Sequence, residues 1–248
     1  MYNKSVMNTE IKQFPKALWL LQVAYVSVIL LANWFDIRII EFGPIATDAG
    51  TLIFPFTFLL SDLITEVYGY KFARRAIWTG FVFNFIFVAY SQIVISFPSP
   101  AYALESNTKF DSLMGFNIRI IIASTISYLL SEPVNSYIMA KLKIKTKGKY
   151  MSFRFVFSTF IASFFDSFIF GTIAFYGIIP GIDLIKFNAA MWLIKVVVEL
   201  IGLVFSIKLT KKLKKFECLD MYDHKTNFNI FKLDAAYSHD SNFYMKFK

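Results

Sequence analysis

The chain reads as an all-α integral membrane protein, a bundle of six transmembrane helices with both termini on the cytoplasmic side. Three observations predict this. Of its 248 residues 56% are hydrophobic and 19% aromatic, more apolar surface than a soluble domain of this size can cover with polar groups. Six apolar windows, each of the roughly 20 residues needed to cross the hydrocarbon core, fall at 17–36, 50–68, 76–97, 117–140, 153–178 and 187–209. Lysine and arginine then gather in alternate connections: Lys71, Arg74 and Arg75; Lys141, Lys143, Lys145, Lys147, Lys149 and Arg154; Lys208, Lys211, Lys212, Lys214 and Lys215. The other connections hold Arg38, Lys109 and Lys186 among Asp36, Glu41, Asp48, Glu105, Asp111 and Asp183. The positive-inside rule therefore requires an even number of spans, in agreement with the six windows. The expected division is a cytoplasmic N-terminus over 1–16, a six-helix domain over 17–210 and a cytoplasmic tail over 211–248, polar and aromatic-dotted after Lys232 and read as disordered or interfacial. The net charge of +9 is then mostly topology, and the Lys141–Lys149 run calls for no nucleic-acid partner.

Each span carries polar residues that share a face. The first has Gln22 and Asn33, separated by whole turns. The second is the shortest, has Pro55 near its start where a kink is expected, and carries Asp62 and Glu66 one turn apart. A carboxylate at membrane depth costs about 2.5 to 3.5 kcal/mol on insertion scales, so two in one span indicate a polar path or a ligand site, unless they lie at the interface. Asn84 and Ser91 align on the third span, which ends at Pro98 and Pro100. Thr125, Tyr128, Glu132 and Asn135 align on the fourth, with Arg119 at its edge, and Thr159, Ser163 and Asp166 on the fifth, which ends before Pro180 and Gly181. Asn188, Trp192, Lys195, Glu199, Gly202 and Ser206 recur at steps of three or four on the sixth, where Lys195 and Glu199 can pair. Serine and threonine on membrane helices readily bond their own backbone. The acids are different: Asp62, Glu66, Glu132, Asp166 and Glu199 outnumber Lys195, and the surplus must be protonated, hydrated or waiting for a cationic or donor-rich ligand.

Several chemistries are excluded. Cys218 is the single cysteine, so no intrachain disulfide and no cysteine metal site can form, and the two histidines, His224 and His239, also lie in the tail. No Gly-x-x-x-x-Gly-Lys-Ser/Thr segment occurs, so the chain has no P-loop of its own. The Tyr-Asp and Gly-x-Gly-Asp pairs of an intramembrane aspartyl protease and the Gly-x-Ser-Gly of a serine rhomboid are absent from the spans. No enzyme, metal or cofactor is expected.

The segment FPFTFLLSDLITEVYGYKFARRAI from Phe54 to Ile77 resembles the signature of the bacterial queuosine precursor transporters, a family of vitamin uptake transporters. RIIIAST from Arg119, STFIASFFDSFIFGTIAF from Ser158, Lys195 with Glu199, and the tail LDMYDHKTNFNIF from Leu219 are similar in register, so the resemblance covers most of the chain. At the fourth span the family often has Gly-Gln with Asp three residues after the Gln, where this chain has Ser131 and Glu132 followed by Asn135, a carboxylate and an amide exchanged across one turn.

The resemblance implies a transporter of the bacterial inner membrane for 7-deazaguanines such as preQ0, preQ1 or queuine. The alternative is the substrate-binding membrane subunit of an importer for another vitamin-like heterocycle. Its partners are then the small heterocycle and the bilayer, with a homodimer or an energising subunit also compatible with six spans. The expected substrate-binding residues are Asp62, Glu66, Glu132, Asn135, Asp166, Lys195, Glu199 and Asn84, with Phe54, Phe58, Phe170 or Trp192 stacking on the ring; Pro55, Gly69, Arg74 and Arg75 shape the span and anchor it at the headgroups.

Overall fold

The computed structural model describes residues 15–244, so most of the expected N-terminal segment lies outside the described residues. Its order is α1 (Leu18–Phe35), a hairpin of β1 (Ile39–Phe42) and β2 (Ile45–Asp48), a 3-10 turn at Gly50–Leu52, α2 (Pro55–Tyr68), α3 (Tyr70–Ile95), α4 (Leu104–Lys145), α5 (Met151–Phe175) and α6 (Gly181–Glu217). Among the described residues six helices, the second taken together with the 3-10 turn before it, are long and apolar enough to cross a membrane.

Polarity decides which helix sits in the middle. The span of α2 is 78% buried, whereas those of α3 and α6 are 22% buried. Thr57, Ser61, Asp62, Thr65 and Glu66 of α2 are buried, while Phe83 and Phe85 of α3 and Leu193 and Val197 of α6 are exposed. A helix with that many polar groups has no acceptable lipid face, so α1, α3, α4 and α6 pack around it and α5 touches it. In lipid the packing rests on close contact and on hydrogen bonds between helices, each of the latter contributing about 0.6 kcal/mol on average. Tyr25 donates to Tyr128 at 3.1 Å, Tyr128 to the Ile77 carbonyl at 2.6 Å, and Asn33 to Asn84 at 2.8 Å, tying α1, α3 and α4 together.

The helices alternate in direction, which sorts the connections into two ends. One, here the hairpin end, carries the C-terminus of α1, the hairpin and the α3–α4 and α5–α6 turns. The other, the basic end, carries the α2–α3 corner, the α4–α5 turn and the C-terminus of α6.

Several boundaries differ from the sequence expectation. The 36–49 connection contains the antiparallel hairpin, Ile39 opposite Asp48 and Phe42 opposite Ile45, closed by Gly43 and Pro44. Pro55 is the first residue of α2 rather than a kink within it; there its missing N–H costs no helical hydrogen bond. The α2–α3 corner is the single residue Gly69 with φ 89° and ψ 168°, which a side chain would strain, and the sequence from Tyr70 to Arg75 is already helix. Pro133 stands inside α4 without ending it. At 1.5 Å per residue α4 is about 63 Å long, twice the hydrocarbon thickness, so its ends and the last turns of α6 stand clear of the core.

The tail is packed. Cys218 takes φ 52° and ends α6, and the chain then returns along the α2–α3 corner. Met221 N–H donates to the Val67 carbonyl at 3.1 Å, Tyr70 N–H to Asp223 at 3.0 Å and Lys71 N–H to the Tyr237 hydroxyl at 3.0 Å. Arg74, fully buried, donates to the carbonyls of Asn227 and Asn229 at 2.9 and 2.7 Å and to the Asp234 carboxylate at 2.9 Å. Arg75 donates to the Leu233 carbonyl at 2.9 Å. Both arginines therefore hold protein where headgroup anchoring was expected.

Candidate functional site

The polar residues form a column of four levels beside α2. At the hairpin end a narrow cavity of about 10 Å³, room for about one water, is lined by Asp36, Asp48, Thr51, Phe54, Ser124, Ser127, Asp166, Phe170 and Lys195. The hairpin places Asp48 so that its two oxygens accept from the backbone N–H and the hydroxyl of Thr51 at 2.7 and 2.8 Å. Asp36, just past α1, faces it. Burial first, and then Asp48, pushes the Asp36 carboxyl well above the ordinary aspartate range. Gly50 makes this approach possible, because a Cβ there would overlap the Asp36 carboxylate and press on the Ala32 carbonyl.

Lys195 and Asp166 make the next level. Lys195 Nζ lies 2.5 Å from Asp166 Oδ2 and 4.7 Å from the centre of the Phe54 ring. The lysine thus pairs across helices with Asp166, not along α6 with Glu199. The other Asp166 oxygen accepts from Ser131 at 3.2 Å. Phe54 packs edge-on to Phe58 at 5.7 Å, and Phe170 edge-on to Phe175 at 5.9 Å.

The third level is acidic without a cation. Glu132 faces the hydroxyls of Tyr25, Thr57 and Ser61, yet neither of its oxygens forms a hydrogen bond. Asp62 accepts from Asn135 at 2.8 Å through Oδ1, while Oδ2 is unpartnered. Glu199 faces Thr159 and has both oxygens unpartnered. All these acids are buried, and none lines the cavity.

The fourth level is neutralised. Glu66 receives two 2.8 Å hydrogen bonds from Arg154, one to each oxygen, and one of 2.7 Å from Lys214, with Lys143 Nζ at 3.9 Å. Lys143 also donates to the carbonyls of Glu66 and Met221, and with Lys214 meets Asp220 of the tail at 2.8 and 2.7 Å. Arg154 in turn donates to the Lys149 carbonyl. The column is therefore closed at the basic end by a salt-bridge network joining α2, α4, α5, α6 and the tail.

The structure brings together Phe54, Phe58, Asp62, Glu132, Asn135, Asp166, Lys195 and Glu199 along one column. It places three expected residues elsewhere. Glu66 is locked among cations, Asn84 binds Asn33 between α1 and α3, and Trp192 donates to the Phe160 carbonyl at 3.0 Å while packing on Phe160 and Phe164 at the outer α5–α6 seam. Arg119 holds the last carbonyls of α5, Ile173 at 2.8 Å and Tyr176 at 2.5 Å. Asp36, Asp48, Thr51, Ser124 and Ser127 were missed. The two serines extend the stripe of Ser131 and Asn135 at steps of three and four, a signal present in the sequence, whereas the two aspartates resemble ordinary loop acids.

Six apolar helices wrapped around a buried polar column make a multi-pass protein of the bacterial cytoplasmic (inner) membrane. The model of the family described as "Putative vitamin uptake transporter" matches residues 48–209, and the chain belongs to that family. It is 27% identical over 187 residues to the "Probable queuosine precursor transporter" of Bacillus subtilis (strain 168), covering 75% of this chain and 81% of that one. It is 34% identical over 128 residues to the protein of the same name from Haemophilus influenzae, covering 51% of each. To the "Queuosine precursor transporter" of Escherichia coli (strain K12) it is 28% identical over 132 residues, covering 52% of this chain and 56% of that one. No solved structure matches the chain.

Proposed function

We propose that the protein imports queuosine precursors of the 7-deazaguanine class for use in tRNA modification, recognising them through the residues that line the narrow cavity at the hairpin end, which must widen to admit the ring. Both termini are cytoplasmic in this reading, since the basic connections lie on their side of the bundle, and the hairpin end then opens outward. Two aromatic faces beside a buried lysine and a facing pair of acids carry the assignment. A 7-deazaguanine is flat, offers the N1 hydrogen and 2-amino group along one edge, and needs a donor at O6. Lys195 has two further N–H bonds for O6 beyond the one given to Asp166, and Asp36 with Asp48 accepts from the other edge. Stacking on Phe54 and Phe170 contributes about 1 to 3 kcal/mol per ring in comparable sites. The names of the relatives support the same class of solute.

The test is complementation. A bacterium lacking its own precursor transporter and de novo precursor synthesis, but holding the enzymes that use each precursor, would express the chain and receive nanomolar preQ0, preQ1 or queuine. Restored queuosine in tRNA, read on a boronate gel, is the expected result and names the substrate. No restoration with any of them, with the protein present in the membrane, defeats the reading.

A further inference from the structure

Glu132 has a place in the fold that substrate recognition does not account for. It is fully buried, lies outside the cavity lining, and neither oxygen forms a hydrogen bond. The hydroxyls around it direct their hydrogens elsewhere: Thr57 to the Phe54 carbonyl at 2.8 Å, Tyr25 to Tyr128 at 3.1 Å, and Tyr128 to the Ile77 carbonyl at 2.6 Å. Ser61 shares a 3.0 Å hydrogen bond with Ser136. The titratable groups facing Glu132 are Tyr25 from α1, Asp62 from α2, Tyr128 from its own helix and Asp166 from α5, and none of them is a cation. A buried carboxylate left without a counter-ion is strongly disfavoured, and a proton is the smallest ligand that removes its charge.

We infer that Glu132 carries a proton through the transport cycle and couples uptake to the proton gradient. The inference rests on the reading of the chain as a precursor transporter. Asp166 belongs to both sites, pairing with Lys195 in the cavity and standing beside Glu132 through Ser131. When a ligand carbonyl draws the Lys195 ammonium toward itself, the charge of Asp166 is less well compensated. Its field then favours the protonated form of Glu132. Linkage makes this reciprocal: protonation of Glu132 tightens ligand binding. An O–H bond forms on Glu132 with a proton from water at the hairpin end and breaks when the column opens to the basic end. Substrate and proton thus travel together, and the gradient supplies the work.

The test uses the full chain in proteoliposomes with preQ0, which is uncharged across the range examined. Counterflow at equal pH on both sides reads transport alone, accumulation under an imposed inward proton gradient reads coupling, and preQ0 binding from pH 5.5 to 8.5 reads linkage. In the wild type, affinity rises about tenfold toward low pH, within the 5- to 150-fold span of coupled sites, and the gradient drives accumulation. Glu132→Gln keeps counterflow within a few-fold, binds with no pH dependence, and loses gradient-driven accumulation. Wild-type counterflow with accumulation indifferent to the gradient overturns the coupling and leaves the transport reading standing. A Glu132→Gln protein that still accumulates with the gradient overturns the role of Glu132. Absence of wild-type counterflow removes the precursor reading and this inference with it. Where Glu132→Gln is poorly folded, Glu132→Asp, which keeps a titratable carboxyl, takes its place: it retains pH-dependent binding with a shifted midpoint, and an unshifted midpoint overturns the role of Glu132.

Discussion

At the scale of single residues, chemically similar acids have different duties according to what faces them. Asp62 and Glu66 stand one turn apart on α2, yet Glu66 is held by Arg154, Lys214 and Lys143 while Asp62 has only Asn135. Removing one member of a buried ion pair leaves the other uncompensated, at a cost of about 3 to 5 kcal/mol. Arg154→Ala is therefore expected to lower the amount of folded protein and its melting temperature, whereas Asp62→Asn leaves the fold intact; thermal melts of the two purified variants check this. Sequence spacing placed both acids on one face correctly and could not tell them apart, because the deciding cations come from α4, α5 and α6. For the same reason the Lys195 partner was misread: a helix shows its own i, i+4 neighbour, Glu199, but not Asp166 on the next helix. Lys195→Met is expected to strand Asp166 and reduce abundance. Adding Asp166→Leu restores abundance but not uptake, so measuring both separates the structural from the recognition role of the pair.

Among the elements, α2 and the tail show what a one-dimensional reading retains and loses. The apolar windows gave the helices because hydropathy is a local property, and they underestimated α4 and α6 because the polar ends of those helices extend beyond the bilayer. The hairpin carries no helical period and is too short to stand out in a window. The tail is polar enough to look solvated, but its order comes from partners more than 150 residues away in sequence, such as Arg74 with Asn227 and Asn229. Lys71 hydrogen-bonds Asp234 and, with Arg74, holds its carboxyl below the ordinary aspartate range. A depressed acid stabilises the folded form above its unfolded pKa and loses that contribution as pH falls through its folded value. The Asp234 contact is thus complete at neutral pH and lost only in acid below that range. Amide exchange in residues 219–243 should rise there and not on the alkaline side. Arg74→Ala should release the same segment at neutral pH, costing about 1.5 to 3 kcal/mol for a charge-assisted hydrogen bond, and limited proteolysis reads that release.

For the whole molecule, the distribution of charge and the direction of transport make one argument. The cavity proposed for recognition and the acidic connections share the hairpin end, while the salt-bridge network at Glu66 and the docked tail close the basic end. An importer resting in this conformation would be shut toward the cytoplasm and narrow at its outward end, provided that the basic end is cytoplasmic. Cys218 offers a direct check, because it is the single cysteine, stands at the basic end just past α6, and is partly exposed. A membrane-impermeant maleimide should leave it unmodified in intact cells and label it in inside-out vesicles. In a Cys218→Ala background, Ser106→Cys and Thr108→Cys near the start of α4 lie at the opposite end and should label from outside in intact cells. Labelling of Cys218 from outside would reverse the bundle. The cavity would then face the cytoplasm and the Glu66 network the exterior, and the same geometry would describe export or a carrier caught after release.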